Sequence, residues 1–441
     1  MIPNTQKAVR YTLVLLYLLL MGISFTATAT ESTHIDLKKL DVVLDNPPNL
    51  PFKRSDINLL NWQHWPYSRY ASHHPREFVT MATIYADREA SALVEKSNDE
   101  LGLSSHKVLL GQGEVVTLEE ALNEIHMKGF AIMHGGKLAF ETYGQGMQKH
   151  DIQVLQSSSK TFIGMLVYKL AHEGLLDLTA NVKDYLPDLK AAVYDGATLQ
   201  HMLDMQVGFP KLGDYHKAGE LGYLSEIHLG LKPKVLGINK RSTLSFIRQF
   251  QKPTFVPGSE FTYADMNTQV LMMIAERITG KSYAQLIEET FWLPLQARYD
   301  AAIAVDDEGH AGASWGLAVS LRDAARFGQM MLERGTFNGQ RIIPESYFKD
   351  TYDTPFSGHS TSYKTLGMAE QYKNHVWMMQ DANLMYTAGS FGQYIFVDYK
   401  HKFAVVFMAN WANNSIQKNL DDMLRIVLSI GERIANIENQ K

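Results

Sequence analysis

The chain has 441 residues, 45% hydrophobic and 20% charged, with a net charge of −5 and a pI of about 6.3. That is the composition of a folded protein, long enough for two or three compact units or one large domain with insertions. It excludes the basic excess that nucleic-acid binding usually needs, and the absence of cysteine excludes disulfides, thiol nucleophiles, zinc–thiolate sites and a lipidated N-terminal Cys.

Residues 1–29 read as a secretory signal peptide. Lys7 and Arg10 precede an apolar run over 11–25, and small residues at Ala27 and Ala29 supply a cleavage site. The run is short for a membrane span of about 20 residues, so cleavage and a periplasmic or secreted protein without a stable membrane span are expected. Residues 30–110, rich in Pro, aromatics and His, read as an extension that wraps a body. Its Trp62, Trp65, Tyr67 and Tyr70 are expected to be plugs rather than a ligand platform. Apolar runs at 130–133 and 138–142 flank "HGGK" and predict a hairpin. Residues 157–173 carry apolar side chains at a helical period and stop at Gly174. Further helical patterns follow to about residue 330. "LMYTAG", "QYIFVDY" and "FAVVFMAN" then predict three strands, and a helix over 416–434 closes the chain. Strands at both ends and helices between predict an α/β fold: a sheet assembled from both ends of the chain, with a helical insert.

Four Ser-x-x-Lys strings occur, at Ser104–Lys107, Ser157–Lys160, Ser346–Lys349 and Ser415–Lys418. Two fixed letters in four arise by chance about once or twice in such a chain, so context decides. Only Ser157–Lys160 opens a strongly apolar helix. At i and i+3 the two side chains share one face, and the serine meets the free N–H groups of the first turn. An apolar helix would desolvate Lys160, lower its pKa and let it take the serine proton. The competing reading is a polar N-cap beside a solvated lysine.

Two downstream elements favour chemistry. In "VPGSEFTYADMNTQVL", Tyr263 lies in a loop ahead of a helix, placed to share the serine's proton. In "YTAGSFGQYIFVDY", Gly389 lets backbone approach a ligand closely. The N–H of Ser390 is then placed to join that of Ser157 in holding an oxyanion, a contribution of about 10²–10³ in rate per donor.

This order resembles the serine β-lactamase and penicillin-binding-protein superfamily, on its class C side and especially the branch of 6-aminohexanoate-dimer hydrolases and esterases. "SSSKTFIGMLVYKLAHEGLLDLTANVKDYLPDL", "PGSEFTYADMNTQVL" and "GSFGQYIFVD" carry the likeness, which runs over roughly residues 45–435. It implies a β-lactamase-like serine hydrolase domain over 111–441, with a mostly helical insert at about 175–330. It implies acyl-enzyme chemistry at Ser157, with Lys160 and Tyr263 sharing acid–base work, and no metal or organic cofactor. Asp214-Tyr215 resembles the branch's substrate-facing pair, making Tyr215 a binding candidate inside a segment, 210–256, expected to cover the site. Two departures stand out. Tyr263-Ala264-Asp265 replaces Tyr-Ser-Asn, so Asp265 or Asn267 is expected to face the substrate. Thr387-Ala388-Gly389 replaces Lys-Thr-Gly, removing the cation that commonly greets a β-lactam carboxylate. A small neutral or cationic amide or ester is the substrate these departures favour.

Two other readings compete. "GASWG" at 312–316 matches a nucleophile elbow, with His359, His375 and His401 downstream. That would make Ser314 the nucleophile of an α/β-hydrolase, but no hydrophobic strand runs directly into it. The other reading is a non-catalytic periplasmic or cell-wall binding protein on the same fold.

Overall fold

The structure, a computed structural model, describes residues 52–440 apart from 88, 90–92, 96–98, 216 and 357–360. The expected signal peptide lies outside the described residues, as does His359. The elements that build the site are, in chain order, strands β1 (Met81–Ile84), β2 (Met127–His134), β3 (Lys137–Tyr143) and β4 (Gln153–Val154), then helices α1 (Lys160–His172) and α2 (Asp265–Thr279). There follow β5 (Ala301–Ala304), β6 (Leu317–Val319), α3 (Leu321–Leu332), β7 (Gln371–Lys373), β8 (Val376–Met379), β9 (Leu384–Gly389), β10 (Gln393–Asp398), β11 (Phe403–Ala409) and α4 (Gln417–Glu438).

A seven-stranded antiparallel sheet runs in the order β7-β8-β9-β10-β11-β2-β3. Its two halves come from opposite ends of the chain and join where Phe403 of β11 faces His134 of β2. The strands read as near-continuous apolar runs because both faces are covered. On β11, Phe403, Val405 and Phe407 pack with Met423, Val427 and Ile430 of α4. The alternate residues Ala404, Val406 and Met408 lie in the opposite layer with Phe327 and Met331 of α3. Period-two alternation thus sorts one strand into two cores. The α/β architecture read from the sequence is the one observed.

The N-terminal extension does more than wrap. Its Met81–Ile84 forms the edge of a four-stranded sheet, β1-β5-β6-β4, with Met81 opposite Ala304. Trp62 is a plug as expected: it is buried, and its Nε1 donates to the Leu231 carbonyl at 3.0 Å. Trp65 is exposed, with its ring 5.7 Å from that of His126. A boundary at residue 110 would cut a hairpin, because Lys107–Leu109 pairs with Val115–Thr117. The extension also grips the strand that leads to Ser157. The Ser72 carbonyl accepts the Val154 N–H at 3.0 Å. The buried Lys128 donates to Ser72 Oγ at 2.9 Å, to Gln153 Oε1 at 3.1 Å and to His73 Nδ1. Among the described residues no helix is long and apolar enough to cross a membrane.

Helix α1 is buried along nearly its whole length. It crosses the turn between β7 and β8 so closely that a Cβ on Gly164 would lie 2.5 Å from His375 Cβ and 2.6 Å from the Asn374 carbonyl oxygen. That turn cannot easily yield. His375 is held by the Leu203 carbonyl at 2.8 Å and by Thr268 Oγ1 at 2.9 Å, and the Asn374 carbonyl accepts Tyr347 OH at 2.9 Å. Helix propensity alone favours Ala over Gly by up to about 1 kcal/mol, but overpacking costs about 1–3 kcal/mol. Gly164→Ala is therefore expected to lower stability in urea unfolding; unchanged or raised stability would show that the turn moves aside.

Candidate active site

Strand β4 delivers the chain to a sharp bend. Gln156 has φ of +51°, a conformation most residues avoid, and a 3₁₀ turn over Gln156–Ser159 then feeds α1. The bend turns Ser157 toward a cavity while its neighbours are stapled below. Thr387 Oγ1 donates to Ser158 Oγ at 2.9 Å, and Ser158 Oγ donates to the Gln393 carbonyl at 2.8 Å. Ser159 Oγ accepts the Leu317 N–H at 3.3 Å. The two middle serines are thus structural ties to two sheets. Gly389 meets the same turn: a Cβ there would collide with the Leu155 carbonyl oxygen. The close approach foreseen for a ligand is taken by the turn that carries Ser157.

Lys160 is fully buried, and all three of its donors are used. Its Nζ lies 2.9 Å from Ser157 Oγ, 2.8 Å from the Ser314 carbonyl and 2.6 Å from Asp265 Oδ1. The expectation of a lysine made neutral by burial fails here. Burial does act to lower its pKa, but Asp265, and to a lesser degree Tyr263, more than offset it and raise the pKa above the ordinary 10.5. Tyr263 sits in the loop before α2. Its hydroxyl lies beside Ser157 and Lys160, and its ring lies 4.8 Å from Lys160 Nζ. Burial raises the Tyr263 pKa; Lys160 opposes the rise and Asp265 adds to it.

Both oxygens of the Asp265 carboxylate are engaged within the protein. One oxygen takes Lys160, and the other accepts Tyr215 OH at 3.2 Å. Tyr215 is correspondingly a partner of Asp265. Asn267 is fully buried, with its amide nitrogen 3.6 Å from Met205 Sδ. Two residues along a helix rotate a side chain by about 200°, so it points away from the side Asp265 faces. The cavity, of about 590 Å³, brings together Ser157, Tyr263, Gly389 and Ser390 with Trp377 and Glu370. Tyr386 and Tyr394 complete its aromatic wall. Sequence reading missed these last four residues. A usable signal existed in the period of two on "LMYTAG", which puts Tyr386 and Ala388 on one face.

The competing serines fall away. Ser314 is fully buried and contributes its carbonyl, not its hydroxyl, to Lys160. His375 is bound to Leu203 and Thr268, and His401 to Asp398 at 2.7 Å. Lys418 pairs with Asp422 at 2.9 Å and Lys349 with Glu345 at 3.7 Å, both on surface helices.

The Beta-lactamase family model matches residues 116–427, more than half of the chain. The chain belongs to the Beta-lactamase family. It is 29% identical to the 6-aminohexanoate-dimer hydrolase of Paenarthrobacter ureafaciens over 65% of this chain and 70% of that one. A solved structure from Bacillus anthracis, assigned provisionally to the same activity, superposes with a TM-score of 0.78 at 26% identity, covering 88% of this chain and 99% of that one. A family VIII carboxylesterase shares the fold at a TM-score of 0.54 and 18% identity, over 71% and 96% of the two chains. The broad class is therefore a β-lactamase-like serine hydrolase.

Removing one partner of a buried ion pair costs about 3–5 kcal/mol, because the other charge is left uncompensated. Asp265→Ala is expected to lower unfolding stability by that order at pH 7. Since the folded-state pKa of Lys160 lies above its unfolded value, the stabilisation is full below about pH 10.5 and is lost as pH rises through the folded value. Denaturation at pH 7 and at strongly alkaline pH, compared between wild type and variant, checks this. An equal cost at both would show that the pair is not what Asp265 contributes.

Proposed function

We propose that the protein is an exported, periplasmic or secreted hydrolase that cleaves a small amide or ester through an acyl-enzyme on Ser157. The observation that carries this reading is Lys160 Nζ at 2.9 Å from Ser157 Oγ, with Tyr263 beside both at the wall of one cavity. Ser157 Oγ attacks the substrate carbonyl carbon and gives its proton to the Lys160–Tyr263 pair. The N–H groups of Ser157 and Ser390 receive the oxyanion. The pair then protonates the leaving amine or alcohol, and water repeats the sequence to release the acid.

Lys160 and Tyr263 titrate together, so the competent form is the pair that has lost one proton. Asp265 raises the pKa of both members. Activity should therefore climb with pH, and Asp265→Asn should move that rising limb of kcat/KM to lower pH. A limb that stays in place would remove Asp265 from the proton balance.

A fluorophosphonate probe should label the wild type on Ser157. Ser157→Ala should abolish labelling, and Ser314→Ala should not. Labelling that survives Ser157→Ala would sink the assignment, and no labelling of folded wild type would favour a binding protein on this fold. Turnover of p-nitrophenyl esters or linear amides should exceed that of nitrocefin, because Thr387 is buried against Ser158 and strand β9 offers no cation there.

A further inference from the structure

Beyond Tyr263 the cavity wall is a row of aromatic rings. Tyr263 and Trp377 stack at 5.8 Å and 29°, Trp377 and Tyr386 at 6.4 Å and 21°, and Tyr386 and Tyr394 at 6.4 Å and 25°. Strand register produces the row: Trp377 of β8 lies opposite Tyr386 of β9, and Ala388 of β9 lies opposite Tyr394 of β10. Tyr363 closes the mouth edge-on to Trp377, at 5.7 Å and 76°, and is 52% exposed.

Behind these rings sits a carboxylate. Glu370 is only 8% exposed, lines the same cavity, accepts the Thr365 hydroxyl and lies beside the Tyr386 hydroxyl. Both neighbouring hydroxyls are neutral. Burial pushes the Glu370 carboxyl up, and Asp421 adds to the rise. Among the described residues the cationic side chain lining this cavity is Lys364, which is exposed at its rim. The ammonium of Lys160 is already paired with Asp265.

Aromatic faces attract cations through their quadrupoles, most strongly where water is excluded. A buried carboxylate repels a second carboxylate, and it must be desolvated without compensation against a neutral hydrocarbon. We propose that Trp377, Tyr386, Tyr363 and Glu370 form a subsite for an ammonium or quaternary ammonium group of the substrate. The proposal rests on Ser157 being the nucleophile and adds which substrates it acts on. Tyr386 lies three residues before Gly389 on β9, so the cationic group sits roughly 10 Å along the strand from the oxyanion end. The ligand is an ester or amide with a positive charge at that remove from its scissile carbonyl.

The test compares p-nitrophenyl esters of ω-trimethylammonio acids of graded length with their neutral tert-butyl isosteres and with ω-carboxylate analogues. Wild type should prefer the cationic ester over its isostere by about tenfold or more in kcat/KM, with an optimum in chain length. That ratio should fall toward parity in Glu370→Gln and drop in Trp377→Leu. A ratio is insensitive to a loss of folded enzyme. Turnover of neutral esters without a cationic preference would overturn the subsite and leave the Ser157 reading intact. A preference for the carboxylate analogue, through Lys364, would overturn it equally. If no ester is turned over, the Ser157 reading fails instead, and calorimetry with benzyltrimethylammonium decides the subsite. Binding weakened about tenfold by Glu370→Gln supports it, and no binding to wild type refutes it.

Discussion

A lysine ammonium buried among apolar atoms is tolerable only if its charge and all three of its protons are met. Lys160 meets that condition through three separate parts of the chain: Ser157 one turn back, the Ser314 carbonyl in a turn before β6, and Asp265 at the start of α2. Each contact fixes one direction of Nζ. Together they fix where Ser157 Oγ sits relative to Tyr263, because the same Nζ lies over the Tyr263 ring. Asp265 in turn is held by Tyr215, so the segment that carries Tyr215 is tied to the ion pair through one hydroxyl. The geometry around Ser157 follows from satisfying a single cation.

The second constraint is that the Ser157 turn belongs to two sheets at once. Leu155 N–H bonds to the Leu317 carbonyl at 2.8 Å, on the small sheet. Ser158 and the packing of Gly389 beneath Leu155 bind the turn to β9 and β10 of the large one. The large sheet exists only once the two ends of the chain have met at β11 and β2. A site built this way cannot assemble from a fragment, although each motif is a short local string.

That division explains what could be read from the sequence. The hairpin, the three C-terminal strands and helix α1 rest on local periodicity, and all were legible. Lys160 was misjudged because its pKa depends on a carboxylate far along the chain, and local apolarity says only that burial will lower it. Asp265 and Asn267 were weighed as equivalent because a loop-like reading ignores the rotation that α2 imposes from Asp265 onward. The aromatic wall stayed hidden for a third reason. Its members lie on three strands and become neighbours only through register, which no single string encodes.

Electrostatics then separates this cavity from one built for anions. Three cations or near-cationic positions bear on it, and each is neutralised or remote. Lys160 is compensated by Asp265. The third motif carries Thr387, whose hydroxyl is turned into the core to hold Ser158. Lys364 stands in solvent at the rim, where screening by water and salt leaves little of its field. Among the described residues the carboxyl side chain buried in the wall is that of Glu370. Substituting Asp for Asn after the tyrosine and Thr for Lys on the strand therefore act in the same direction. Both withdraw positive potential from the space in front of Ser157, and the rings and carboxylate beyond it supply the opposite sign.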